Sequence, residues 1–126
     1  MQIVPTHKDD LDTCDALARA SDSEVVREIQ ALLEWLQDMN WPVAPLVVRR
    51  IKGIGAPLVV PIKEILCGTD DVWKYWIVSS LLSEVDTQTL ESLRPELERI
   101  VLHPSKGEID EEVVQAARNM LGLERL

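Results

Sequence analysis

The stretch Asp38-Met39-Asn40-Trp41-Pro42-Val43-Ala44-Pro45-Leu46-Val47-Val48-Arg49-Arg50-Ile51 decides the fold. Asp38-Met39-Asn40 ends one helix, and Asn40 offers a side-chain cap to the next. Pro42 is tolerated in a first turn because the N–H it lacks has no partner there. A residue before proline avoids the helical region, which places Trp41 just outside the helix. Val43, Leu46, Val47, Ile51 and Ile54 then recur at helical spacing as a buried stripe. Arg49, Arg50 and Lys52 form a local basic cluster where a helix C-terminus favours cations. Gly53-Ile54-Gly55 supplies the stop.

Working towards the N-terminus, Ser21-Asp22-Ser23-Glu24 has the spacing of a capping box. The helix it opens carries Val25, Ile29, Leu32, Leu33 and Leu36 on one face. Trp35 lies about 100° from Leu36 around that helix, off the main stripe. An earlier helix is read from Leu11, Cys14, Leu17 and Ala18, with Asp9 and Asp10 at its favourable acidic end. Residues 1–8 read as an extended lead-in.

Towards the C-terminus, Pro57 opens a helix with Leu58, Val59, Ile62, Ile65 and Leu66 inside. Gly68-Thr69-Asp70-Asp71 is a stop and a cap, and the helix from Val72 to Leu82 follows. Leu90, Leu93, Leu97, Ile100 and Val101 mark another helical stripe, entered through Thr87 or Thr89 and disturbed locally at Pro95. Leu102-His103-Pro104-Ser105-Lys106-Gly107 reads as a loop. A last helix is expected from about Asp110, with Val113, Val114, Ala117, Met120 and Leu121 inside and Gly122 at its end. No segment sustains period-two alternation; the run Leu58-Val59-Val60 is cut short by Pro61. The expectation is an all-α fold of about seven helices.

The helices also align with one another. With Asn40 placed over Asp71, Leu46 falls on Ile77, Val47 on Val78, Ile51 on Leu82 and Ile54 on Val85. With Asp71 over Asp110, Ile77 falls on Ala116, Val78 on Ala117 and Leu82 on Leu121. The second helices agree too, since Leu58, Ile62, Ile65 and Leu66 fall on Leu93, Leu97, Ile100 and Val101. Periods of this size mark helical solenoids. The stretch Asp38 to Gly55 resembles the first helix of HEAT and PBS-lyase-type HEAT-like repeats, with Ala44 where such repeats often place arginine. A closer resemblance covers nearly the whole chain. The words Leu33-Glu34-Trp35-Leu36-Gln37-Asp38-Met39-Asn40-Trp41-Pro42-Val43-Ala44 and Trp73-Lys74-Tyr75-Trp76-Ile77 look like the signature of a small bacterial family, the domain of unknown function five-zero-seven-one. It carries no catalytic residues to transfer. Residues 1–126 are thus expected to form a single HEAT-like α-α superhelix.

Composition bounds the partners. Hydrophobic residues at 46% exclude wholesale disorder, and 126 residues suffice for one core. A net charge of -9 repels phosphate backbones and disfavours nucleic acid as a partner. No stretch approaches a membrane span, and Cys14 and Cys67 are isolated, as in a reduced cytoplasmic protein. Cys14 falls on an apolar stripe and reads as a packed, inert thiol.

Candidate sites follow from residue type. Trp41 and Trp73 both stand at the start of a first helix, with Tyr75 and Trp76 beside Trp73, and such aromatics suit a binding hot spot. Indoles that plug gaps between helix pairs, with their N–H groups satisfied, are the alternative reading. The inner face of a HEAT-like stack would carry Arg27, Glu28, Glu34, Lys63, Glu64, Glu91, Glu96, Glu98 and Arg99, where acids outnumber bases; Glu28, Glu34, Glu64 and Glu98 are the candidate contacts for a basic protein, or the face simply meets solvent. His7 and His103 lie without carboxylate or cysteine spacing, and no metal-ligand motif occurs, so no catalytic, cofactor or metal residues are assigned. The expected function is a non-enzymatic protein–protein interaction module, with an antitoxin-like immunity protein as one specific form. A small enzyme using carboxylates in a concave helical groove is the rival. Oligomeric state is left open.

Overall fold

The structure, a computed structural model, describes residues 2–122. Those residues are all-helical, with no strand. The α-helices are α1 (Leu11–Arg19), α2 (Asp22–Arg27), α3 (Ile29–Leu33), α4 (Val43–Ile51), α5 (Val59–Leu66), α6 (Asp71–Trp76), α7 (Thr87–Leu102), α8 (Lys106–Asp110) and α9 (Val113–Leu121). A 3-10 turn, Glu34–Leu36, follows α3, and another, Ala56–Leu58, precedes α5. A π turn, Ile77–Leu81, continues α6.

Nine α-helices among the described residues stand where about seven were expected. Two breaks account for the difference. At Glu28 the backbone leaves helical values, with φ -109° and ψ 12°, and divides α2 from α3. Glu112, at φ 62° and ψ 22°, takes the left-handed conformation between α8 and α9. Neither break has a glycine or proline to announce it.

Several helix starts follow side-chain chemistry. Asp10 accepts from the Thr13 backbone N–H, Asp70 from that of Trp73 and Asp86 from that of Thr89. Ser21 and Glu24 form the expected capping box. Gly55, at φ 83°, makes the turn into the 3-10 segment that holds Pro57.

The caps at the aligned positions are a correction. Asn40 does not cap α4; its own N–H donates to Asp38 Oδ1 at 2.8 Å, while the Val43 N–H at the start of α4 donates to the Lys8 carbonyl. Asp71 is the first residue of α6 rather than its cap, and Asp110 ends α8 rather than opening α9. The expected loop over 102–107 is also corrected. Leu102 closes α7, and Ser105 caps a new helix, α8, that already contains Lys106 and Gly107. The apolar register is independent of caps. Val47, Val78 and Ala117 are all buried, as are Ile62 and Leu97, and Leu58 and Leu93.

One hydrophobic cluster extends from Ile3 to Ala117. Within it α1 packs on α4, α4 on α3 and its 3-10 turn, α5 on α6 and α7, and α9 on α6, α7 and α8. Leu36, Ile51, Leu66, Leu81 and Leu97 are completely enclosed. Each such side chain contributes about 1.5–3 kcal/mol by leaving water. The lead-in belongs to this core, because Ile3 and Pro5 are buried. No described helix is long and apolar enough to cross a membrane.

Candidate functional site

The short connection between α5 and α6, Cys67 to Asp70, separates two clefts. One, of about 500 Å3, is lined by Cys67, Gly68, Thr69, Asp71, Lys74, Arg99, Ser105, Gly107 and Glu108. The other, of about 480 Å3, is lined by Gln30, Leu33, Glu34, Pro61, Glu64, Ile65, Gly68, Thr69, Asp70 and Trp73.

The first cleft is built on Glu108. The Ser105–Glu108 capping box turns this carboxylate inward, where it is fully enclosed. The Ser105 N–H donates to Oε1 at 2.8 Å. Arg99 grips both oxygens from Nη1 and Nη2, each at 2.8 Å. Lys74, itself only 3% exposed, donates to Oε2 at 3.0 Å. Burial pushes the Glu108 carboxyl up, but the hydrogen bonds from Arg99, the Ser105 backbone and Lys74 outweigh it and hold it down at about 2. The Glu108 carboxylate in turn raises the Arg99 guanidinium.

Asp71 completes the cluster. Its Oδ1 lies 3.0 Å from Lys74 Nζ, an ion pair without hydrogen-bond geometry. Gly107 packs closely on Asp71, and a Cβ there would push the Asp71 carboxylate out of its place beside Lys74. Two cations, Lys74 and Arg99, thus meet two anions, Asp71 and Glu108, and the charges cancel. Cys67 at the rim donates from Sγ to Glu96 Oε2 at 3.2 Å, and this bond, more than burial, raises its thiol. A protonated thiol beside an ionised, fully paired carboxylate is neither a nucleophile nor an acid near neutral pH. The cluster ties α6, α7 and α8 together.

The second cleft is different in kind. Glu34 and Glu64 are exposed, and among the described residues neither makes an ion pair. Asp70 uses Oδ1 on the Trp73 backbone. Trp73 is half-buried, and its indole N–H donates to the Leu33 carbonyl at 3.0 Å, bridging α6 to the end of α3. Among the described residues no lysine or arginine lines this groove.

The residues singled out in the sequence divide accordingly. Glu34, Glu64 and Trp73 come together in the acidic groove. Trp41 stacks edge-on with Trp35, at 5.5 Å between centroids, and Tyr75 with Trp76 at 5.2 Å; neither pair includes Trp73. Tyr75 also borders a small hollow of about 180 Å3 against α9. Glu28 is exposed at the break before α3, and Glu98 is exposed on α7; neither lines the groove.

The Glu108 cluster was missed in the sequence. Its signal was present, because Ser105-Lys106-Gly107-Glu108 repeats the Ser-x-x-Glu spacing of Ser21 to Glu24, but the proline and glycine around it read as a loop. Among the described residues no group of three His, Cys, Asp or Glu side chains is placed to hold a metal ion.

Compared with known proteins, a family model described as a domain of unknown function, DUF5071, matches residues 3–121. No curated protein matches the chain.

Proposed function

The chain belongs to the DUF5071 family, a membership that transfers no activity, and from that premise we propose a non-enzymatic protein-interaction module that binds a basic partner. The observation that carries this reading is the groove between α3, α5 and α6, lined by Glu34, Glu64 and Asp70 together with Trp73 and, among the described residues, by no lysine or arginine. Such a surface attracts positive charge and steers its approach. The architecture we assign is a HEAT-like stack. It is supported by apolar positions that are buried in register, such as Val47 with Val78 and Leu58 with Leu93. The narrower form is an antitoxin-like immunity protein, in which the partner is a basic toxin. A carboxylate serving as general acid in such an enzyme is one held protonated near neutral pH. Glu108, the most enclosed acid, is held at about 2 instead.

The test is comparative capture. Wild type and a Glu34→Gln/Glu64→Gln double variant are immobilised and exposed to lysate of the source organism. A protein retained only by wild type is then identified, purified and titrated by calorimetry at two ionic strengths. The expected result is a basic protein whose affinity falls with salt and with the double substitution. If every retained protein is held equally by both forms, the reading is wrong.

A further inference from the structure

We infer that the acidic groove receives an extended peptide segment of the partner, bearing an arginine or lysine side chain that lies along Trp73. This rests on the interaction reading above and names the occupant of the same site.

The argument starts from what the groove lacks. The Trp73 indole has spent its only donor on the Leu33 carbonyl, so it offers an incoming group apolar area and no hydrogen bond. Pro61 and Ile65 add apolar wall. Besides the neutral Gln30 and Thr69, the charged groups are all of one sign: among the described residues Glu34 and Glu64 make no ion pair, and Asp70 keeps Oδ2 unengaged by the Trp73 backbone. A ligand that answers both needs has an aliphatic stem and a cationic head, which is the build of arginine and lysine. A bare cation would leave the apolar wall wet. An acidic or neutral peptide would leave three carboxylates uncompensated.

Volume and contrast support the same occupant. At about 480 Å3 the groove is in the range that encloses a short ligand rather than one ion. The neighbouring cleft, across Gly68 and Thr69, is as large but holds two cations paired with two anions. It has no net charge to satisfy, whereas the acidic groove does.

The test uses isotope-labelled full-length protein and a capped peptide with two arginines separated by one alanine. A matched peptide with citrulline in place of arginine keeps the shape and removes the charge. The Trp73 indole N–H and the amides of Gly68 and Thr69 are followed by NMR during titration. The expected result is a saturable shift of these signals with the arginine peptide and none with citrulline. Glu34→Gln and Glu64→Gln should each weaken binding about twofold to fivefold, as for exposed ion pairs. Shifts scattered over the acidic surface, or equal affinity in the glutamine variants, would overturn the inference. If the peptide fails while the captured protein still depends on Glu34 and Glu64, the peptide-segment inference falls and the interaction reading stands. If neither depends on them, both fall.

Discussion

Removing the Glu108 carboxylate should unlock the α6–α7–α8 corner. The side chain is fully enclosed and holds Arg99, Lys74 and the Ser105 N–H. Its carboxyl titrates at about 2 in the fold against an ordinary value of 4.5. At about 1.4 kcal/mol per pH unit, that gap corresponds to about 3 kcal/mol of stability. Because the folded value is the depressed one, this contribution is complete above the unfolded value and is lost as pH falls towards the folded one. Glu108→Ala forfeits it and leaves Lys74, 3% exposed, with Asp71 alone. Breaking a buried pair in this way costs about 3–5 kcal/mol. For a urea slope of roughly 2 kcal/mol per molar, the midpoint should drop by about 2 M. The four tryptophans report the transition by fluorescence. Measured against the isosteric Glu108→Gln, the wild-type advantage should shrink between about pH 5 and pH 2. A midpoint for Glu108→Ala within about 0.5 M of wild type, or a gap that stays flat through that acid range, would refute the assignment.

Four further outcomes are expected. Gly107→Ala should destabilise the protein by about 1–3 kcal/mol in chemical denaturation, because the new methyl meets Asp71 Oδ2. Gly53→Ala, with nothing within 4 Å of its Cβ, should be close to neutral in the same assay. Trp73→Phe keeps a ring but leaves the Leu33 carbonyl without its donor, so a loss of about 1–3 kcal/mol is expected from urea melts. Glu34→Gln and Glu64→Gln should each stay within about 0.5 kcal/mol of wild-type stability, since both side chains are exposed and make no ion pair among the described residues. Thermal melts of the purified variants check this, and a large loss in either would show that the groove carboxylates support the fold.

Helical segments and their buried faces were legible in the sequence. Val25, Ile29, Leu32 and Leu36, or Leu93, Leu97 and Ile100, are buried where their spacing puts them, because periodicity is a local property of the chain. Family membership was equally legible in the Trp-rich words. Caps were less so. Asp70 and Asp71 are adjacent acids, and the spacing alone does not say which one bonds the backbone and which one meets Lys74.

What the sequence determined by itself is a helical chain with one apolar face per helix and a surplus of acid. What only the tertiary structure decided is which charges are used up. Lys74 and Glu108 are 34 residues apart and become partners only when α6 and α8 dock, and Arg99 joins them from α7. Glu34 and Glu64 look no different in the sequence, yet among the described residues no lysine or arginine pairs with either. Coulomb energy depends on distance and burial, and both are set by packing between helices rather than by order along the chain. The stretch from Asp38 to Ile51 announced the helix that builds the core, while the groove with the unsatisfied charge took shape around Trp73.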